Sequence, residues 1–214
     1  MPNPSPAAAR PLRPDDGRRL RGQKSRARIL AAARELFAER GFDRTTLRAI
    51  AERAGMGASS IYRHIRSKEE LLVEELVARQ EEAWRKTRGA TTRDESTEAR
   101  LTRFFETQHE LLAADRDLTT IALRALTHPE ARVARRVLAL HDRSIGLLAE
   151  ILQGGRMRGD ISRRVDVLET ARALFFTALG ARIAWANGLL TSEGCERSIA
   201  ASLELLFAGI GPGD

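Results

Sequence analysis

The sequence predicts an all-α fold on three observations. Apolar residues recur at spacings of three and four, no strand-like alternation of any length occurs, and Gly or Pro punctuates the periodic runs. Residues 1–22 hold five of the seven prolines and no helical period, and read as a flexible Arg/Pro-rich arm. From Lys24 to Glu39, Ile29, Leu30, Ala33, Leu36 and Phe37 lie on one helical face that Gly41 ends. Thr45 is the expected N-cap of a second helix. Ser67 and Glu70 form a capping box ahead of Leu71 and Leu72, so a longer helix is expected from there to about Thr87.

Residues 88–97 are polar and aperiodic, which predicts a loop. Helices follow at roughly 98–114, 117–126, 129–153, 164–187 and 193–209, with Pro129 at a first helical position and His128-Pro129, Gly154-Gly155, Gly159 and Gly188 as breakers. The length of 214 residues and 43% hydrophobic content allow one or two cored domains. The single Cys195 excludes an intramolecular disulfide and suits a reducing cytoplasm. Prolines and charges at the N-terminus argue against a signal peptide, and the apolar run Ala173 to Ala181 is far short of a membrane span, so a cytoplasmic protein is expected.

Charge is uneven. Residues 1–70 carry 16 Lys and Arg against 8 Asp and Glu, whereas the rest carry 20 against 21. The basic third contains TTLRAIAERAGMGASSIYRHIRSK, residues 45–68, which spells two short helices joined at a glycine turn: the outline of a helix-turn-helix. Ile50, Ala51 and Ala54 give the first helix an apolar stripe, and Ala51 is small enough for the second helix to cross closely. Gly55 suits a left-handed helix end. Met56 and Ile61 supply buried contacts, leaving Ala58, Ser59, Ser60, Tyr62, Arg63 and His64 facing outward.

Residues 28–72 resemble the N-terminal DNA-binding domain of the TetR family of bacterial transcriptional regulators. LF at 36 and 37, GF at 41 and 42, TT at 45 and 46, AG at 54 and 55, IYRHI at 61–65 and SKEEL at 67–71 fall in the family's order. Gly57 departs from it, standing where the family usually has a hydroxyl N-cap, as does Ser59, where glycine is usual. The resemblance implies a three-helix DNA-binding domain over 23–83 and a helical effector-binding and dimerisation domain over 84–214. It also implies that Thr45, Thr46, Tyr62, His64 and Lys68 hold phosphates, with Arg48 and Gly57 also at the interface, while Ala58, Ser59, Ser60 and Arg63 lie nearest base edges. Chemistry agrees: hydroxyls and ammonium groups suit phosphate oxygens, and the arginine fork suits guanine O6 and N7. Arg10, Arg13, Arg18, Arg19 and Arg21 could reach a minor groove or form a solvated tail.

The segment ALFFTALGARIAW, residues 173–185, is apolar nearly all round, and such a helix must be covered on every side. Ile199, Leu203, Leu206, Phe207 and Ile210 give the last helix a matching stripe. By the resemblance, these two helices pair with their copies in a two-fold dimer through Leu174, Ala178, Arg182, Leu203, Leu206, Phe207 and Ile210. A small hydrophobic effector is expected among Phe104, Phe105, His109, His141, Phe175 and Phe176, and would release a repressor from a near-palindromic operator. The alternative is a helical interaction or non-specific nucleic-acid-binding module without effector control. No enzymatic constellation stands out. His109-Glu110 begins a zinc pattern that fails at Ala113, Asp115 and Asp117 suit helix capping, and no nucleotide-binding or nucleophile motif occurs. Neither a metal nor a cofactor is expected.

Overall fold

The computed structural model describes residues 14–90, 92, 95–127, 129 and 131–210. Among them run nine helices: α1 (Pro14–Arg40), α2 (Leu47–Arg53), α3 (Ala58–Ile61), α4 (Lys68–Gly89), α5 (Thr97–Ala113), α6 (Arg116–Thr127), α7 (Ala131–Arg158), α8 (Val167–Ala186) and α9 (Ser192–Ile210). The chain divides into two compact units, Met1–Arg66 and Ser67–Asp214. The boundary falls at the start of α4, not after residue 83, because α4 packs along its length on α5, α6 and α7.

In the first unit α1 begins at Pro14, so residues 14–22 of the expected arm are helical. Proline is favoured at a first helical position, where its missing N–H would have no partner. The buried face of α1 carries Ile29, Ala32, Ala33, Leu36 and Phe37, with Ile50 and Ala51 of α2 fully buried as well. Arg53 of α2 donates to Glu35 Oε2 at 2.9 Å and bidentately to Glu39 at 2.8 Å, tying the two helices at the surface. The guanidinium holds the Glu39 carboxyl below its ordinary value.

The second unit is built around α4 and α8. Arg79 of α4 donates Nε to Glu75 at 2.8 Å and Nη1 to the carbonyls of Leu111 and Leu112 and to Thr119 Oγ1. A single buried arginine thus caps the end of α5 and fixes its junction with α6. Arg136 of α7 pairs with Glu70 and Glu74, and Arg143 with Glu81 at 2.9 Å, so α7 is sewn along α4. Asp115 caps α6 by accepting from the Leu118 amide at 3.1 Å.

Gly154 and Gly155 do not break α7, which continues to Arg158. A Cβ at residue 155 would lie 2.1 Å from Thr97 Oγ1, so Gly155 is there for close approach to α5. The helix ends instead at Gly159, whose φ is +90°. α7 starts at Ala131, two residues after Pro129, and α8 starts at Val167, where Asp166 accepts from the amides of Leu168 and Glu169. No helix among the described residues is long and apolar enough to cross a membrane.

Candidate nucleic-acid interface and effector cavity

The turn between α2 and α3 is fixed by two reciprocal bonds. The Met56 amide donates to Ala51 O at 2.9 Å and the Gly55 amide to Glu52 O at 3.0 Å, with Gly55 at φ +64°. This is the Schellman arrangement, which satisfies two carbonyls at the end of α2 and needs a left-handed residue. Gly57 follows as the N-cap of α3 in extended backbone, contributing no side-chain bond. Ile61 and Ile65 are fully buried and Met56 half-buried, which anchors α3 and the turn after it.

The opposite side presents Ala58, Ser59, Tyr62 and Arg63 to solvent, with Ser60 and His64 half-exposed. Tyr62 is 58% exposed, unusual for a large ring without a partner surface. Arg63 Nη2 donates to Ser60 Oγ at 3.1 Å, holding the guanidinium beside the helix start. Arg48 is exposed, and Thr46 is exposed while its Oγ1 accepts from the Ala49 amide at 3.1 Å as the N-cap of α2. Lys68 is the first residue of α4, in the second unit.

Thr45 is a correction. It is neither the N-cap of α2 nor open to a phosphate: it is 1% exposed, and its hydroxyl donates to Gly41 O at 2.8 Å or Leu36 O at 3.2 Å. Adjacent threonines divide the work, the first locking the end of α1 and the second capping α2. Arg10 and Arg13 lie outside the described residues, as do the side chains of Arg18 and Arg19; Arg21 is exposed.

In the second unit α4 to α8 surround a cavity of about 50 Å³ that opens to solvent. Four of the six residues named from the sequence, Phe104, Phe105, His141 and Phe175, line it. The His141 ring lies tilted against Phe175 with centroids 5.0 Å apart, and burial pushes its imidazole below the ordinary value. Two predicted members lie elsewhere. Phe176 is 55% exposed on the outer side of α8. His109 faces a separate groove between α5 and α9, with Nε2 at 2.8 Å from Ser192 Oγ and its ring 4.9 Å from Trp185. Burial, helped by the charge of Arg182, pushes His109 down to about 4.

Gln80, Gln108, Ser144 and Arg182 also line the cavity and were missed as pocket residues. For Arg182 the signal was visible: one cation in a 13-residue apolar run. It was assigned to a dimer surface, but it is 6% exposed and turned inward. Leu174, Ala178 and Leu203 are likewise buried within the single chain, so they cannot form the surface of a subunit contact. Leu206 and Phe207 are half-buried, and the side chain of Ile210 lies outside the described residues. The large apolar side chains exposed on these two helices are instead Leu168 and Phe176 of α8 and Leu205 of α9, the last 78% exposed. A helix apolar all round has two candidate inner faces, and periodicity alone could not choose between them.

Residues 29–74 match the family described as bacterial regulatory proteins, tetR family. The HTH-type transcriptional repressor KstR2 of Rhodococcus jostii is 30% identical over 154 residues, 72% of this chain and 76% of that protein. The HTH-type transcriptional regulator UidR of Escherichia coli is 25% identical over 165 residues, 77% of this chain and 83% of that one. In fold the chain is similar to Thermus thermophilus FadR, a TetR family transcriptional repressor solved in complex with lauroyl-CoA. That likeness has a TM-score of 0.74 at 24% identity and covers 86% of this chain and 94% of the other. Each of these proteins is named as a regulator of transcription. The chain belongs to the tetR family of bacterial regulatory proteins.

Proposed function

We propose that the protein is a homodimeric repressor that binds a near-palindromic operator and leaves it when a small apolar effector occupies the α4–α8 cavity. The observation that carries this reading is the Schellman-locked turn at Gly55, which leaves Ala58, Ser59, Tyr62 and Arg63 exposed, with the Arg63–Ser60 bond as the side-chain bond found for them among the described residues. Small residues at the start of α3 allow close approach to a groove, and Arg63 is the residue suited to read guanine. Thr46, Tyr62, His64 and Lys68 serve register on the phosphates, with Arg48 and Gly57 also at the interface and Ser60 nearest base edges.

A dimer is supported by the exposed Leu168, Phe176 and Leu205 of the last two helices, which a symmetric pairing of those helices would cover in both copies. Two copies would present two readers to half-sites a whole number of helical turns apart. Effector control is supported by α4, which carries Leu76 and Gln80 into the cavity and begins where the DNA-binding unit ends. Structural likeness to FadR bound to lauroyl-CoA favours a ligand with a long apolar part. An effector that prefers the DNA-incompetent arrangement by about 1.4 kcal/mol lowers operator affinity tenfold.

Selection of bound fragments from the source genome by the purified chain tests the reading. Enrichment of an inverted repeat, lost when apolar compounds are added, is the expected result. Salt-dependent retention of all fragments alike would point to the non-specific module instead.

A further inference from the structure

The cavity is lined by one formally charged side chain, Arg182, and by no carboxylate. Among the described residues Arg182 makes no ion pair. Nη2 reaches Phe105 O at a long 3.4 Å, the guanidinium carbon lies 5.6 Å from the Phe105 ring centroid, and Nε is buried without an acceptor. Burial depresses the guanidinium to about 10. Two further polar groups of the same cavity are unspent: Gln80 Nε2 and His141 Nε2 are both buried without a partner, although Gln80 Oε1 accepts from Ser144 at 2.6 Å. Buried cations are ordinarily paired, and leaving one unpaired is costly.

We infer that Arg182 is the anchor for the carboxylate of an apolar organic acid, and that this acid is the ligand class of the cavity. The inference rests on the effector-controlled reading above. A planar carboxylate matches the guanidinium fork and neutralises its single charge. A phosphate dianion would leave an excess negative charge among Phe104, Phe105 and Leu112, and a neutral ester or thioester would leave the cation unpaired. Arg182 and Phe175 are seven residues apart on α8, about 10 Å along its axis. The body of the acid, lying from the guanidinium towards the Phe175–His141 ring pair, is therefore a medium-length chain or an arylalkyl group.

Isothermal titration of the full chain without DNA, using decanoate, 4-phenylbutyrate, decan-1-ol, decyl phosphate and decanoyl-CoA, tests this. At least one of the two acids should bind tenfold or more tightly than the alcohol, the phosphate and the thioester. Arg182→Met should erase that preference and raise the melting temperature of the ligand-free protein. Arg182→Gln gives the same binding readout if the methionine variant fails to fold. Equal or tighter binding of the alcohol or the thioester, no binding of either acid, or a preference that survives both substitutions would overturn the assignment. Operator binding is scored separately: an acid preference in a chain that binds no operator sustains the Arg182 assignment and overturns the regulatory reading, whereas an operator released only by the thioester does the reverse.

Discussion

The two units differ in what holds their functional surfaces in place. In residues 14–66 the surface is set by local backbone chemistry: a left-handed glycine, two turn hydrogen bonds and a pair of threonines with opposite duties. In residues 67–210 the cavity is set by tertiary packing of five helices, and whether a side chain on α8 or α9 faces the cavity, the core or solvent depends on a rotation that neighbouring helices decide. Local chemistry is written in short motifs; rotation of an apolar helix is not. The difference teaches that turn residues define which side of α3 faces outward, whereas the inward side of an apolar helix is defined only by what packs on it.

Substitutions sharpen that contrast. The largest expected effect is in the second unit, where Leu203 is 1% exposed and Leu205, two residues on, is 78% exposed. Leu203→Ala should cost about 2 to 5 kcal/mol in denaturant unfolding. Leu205→Glu should instead leave a folded chain of 23.7 kDa by light scattering, where the parent gives twice that mass. If both substitutions act on assembly alone, the inward placement of Leu203 is wrong.

In the first unit Arg63→Ala should weaken operator binding by about 1 to 3 kcal/mol and relax sequence preference, with unfolding unchanged. Competition titrations against operator variants read both. Thr45→Val should behave in the opposite way. Losing the buried hydroxyl should lower stability by about 1 kcal/mol, while the salt dependence of DNA binding stays as it was. Lys68→Ala should reduce that salt slope by about one unit. A Thr45 variant that binds DNA with a reduced salt slope would restore threonine to the phosphate contacts.

The smallest expected effect is a pH dependence in the α5–α9 groove. His109 is held neutral in the fold and drops to about 4, below the value near 6.5 of an unfolded chain. The unfolded state therefore binds more protons, and stability falls as pH drops from about 6.5 towards 4. His109→Gln, which can keep a bond to Ser192, should shrink the difference in melting temperature between pH 7 and pH 5. An unchanged difference would assign the acid sensitivity elsewhere.

The same contrast explains what could be read in advance. All nine helices have a sequence signal, and most bounds are right to within a few residues because Ser67, Ser96, Asp166 and Gly188 cap or end them by side-chain or backbone chemistry. The start of α1 was misplaced because proline and arginine density resembles a tail, although proline can equally open a helix. Gly155 looked like a breaker because its role is to admit Thr97, 58 residues away in sequence. Four of the six residues expected in a pocket line the cavity, whereas Arg182 lies on the inner face of α8, where a lone cation in an apolar run is least expected.

Central to the account is that the α2–α3 surface reads duplex DNA as a symmetric pair. Hydroxyl-radical footprinting of the selected operator, with the bound mass measured in parallel, tests this most directly. Two protected patches related by a dyad, their centres a whole number of helical turns apart on one complex holding an even number of chains, is the predicted result. A single patch occupied by one chain would contradict it.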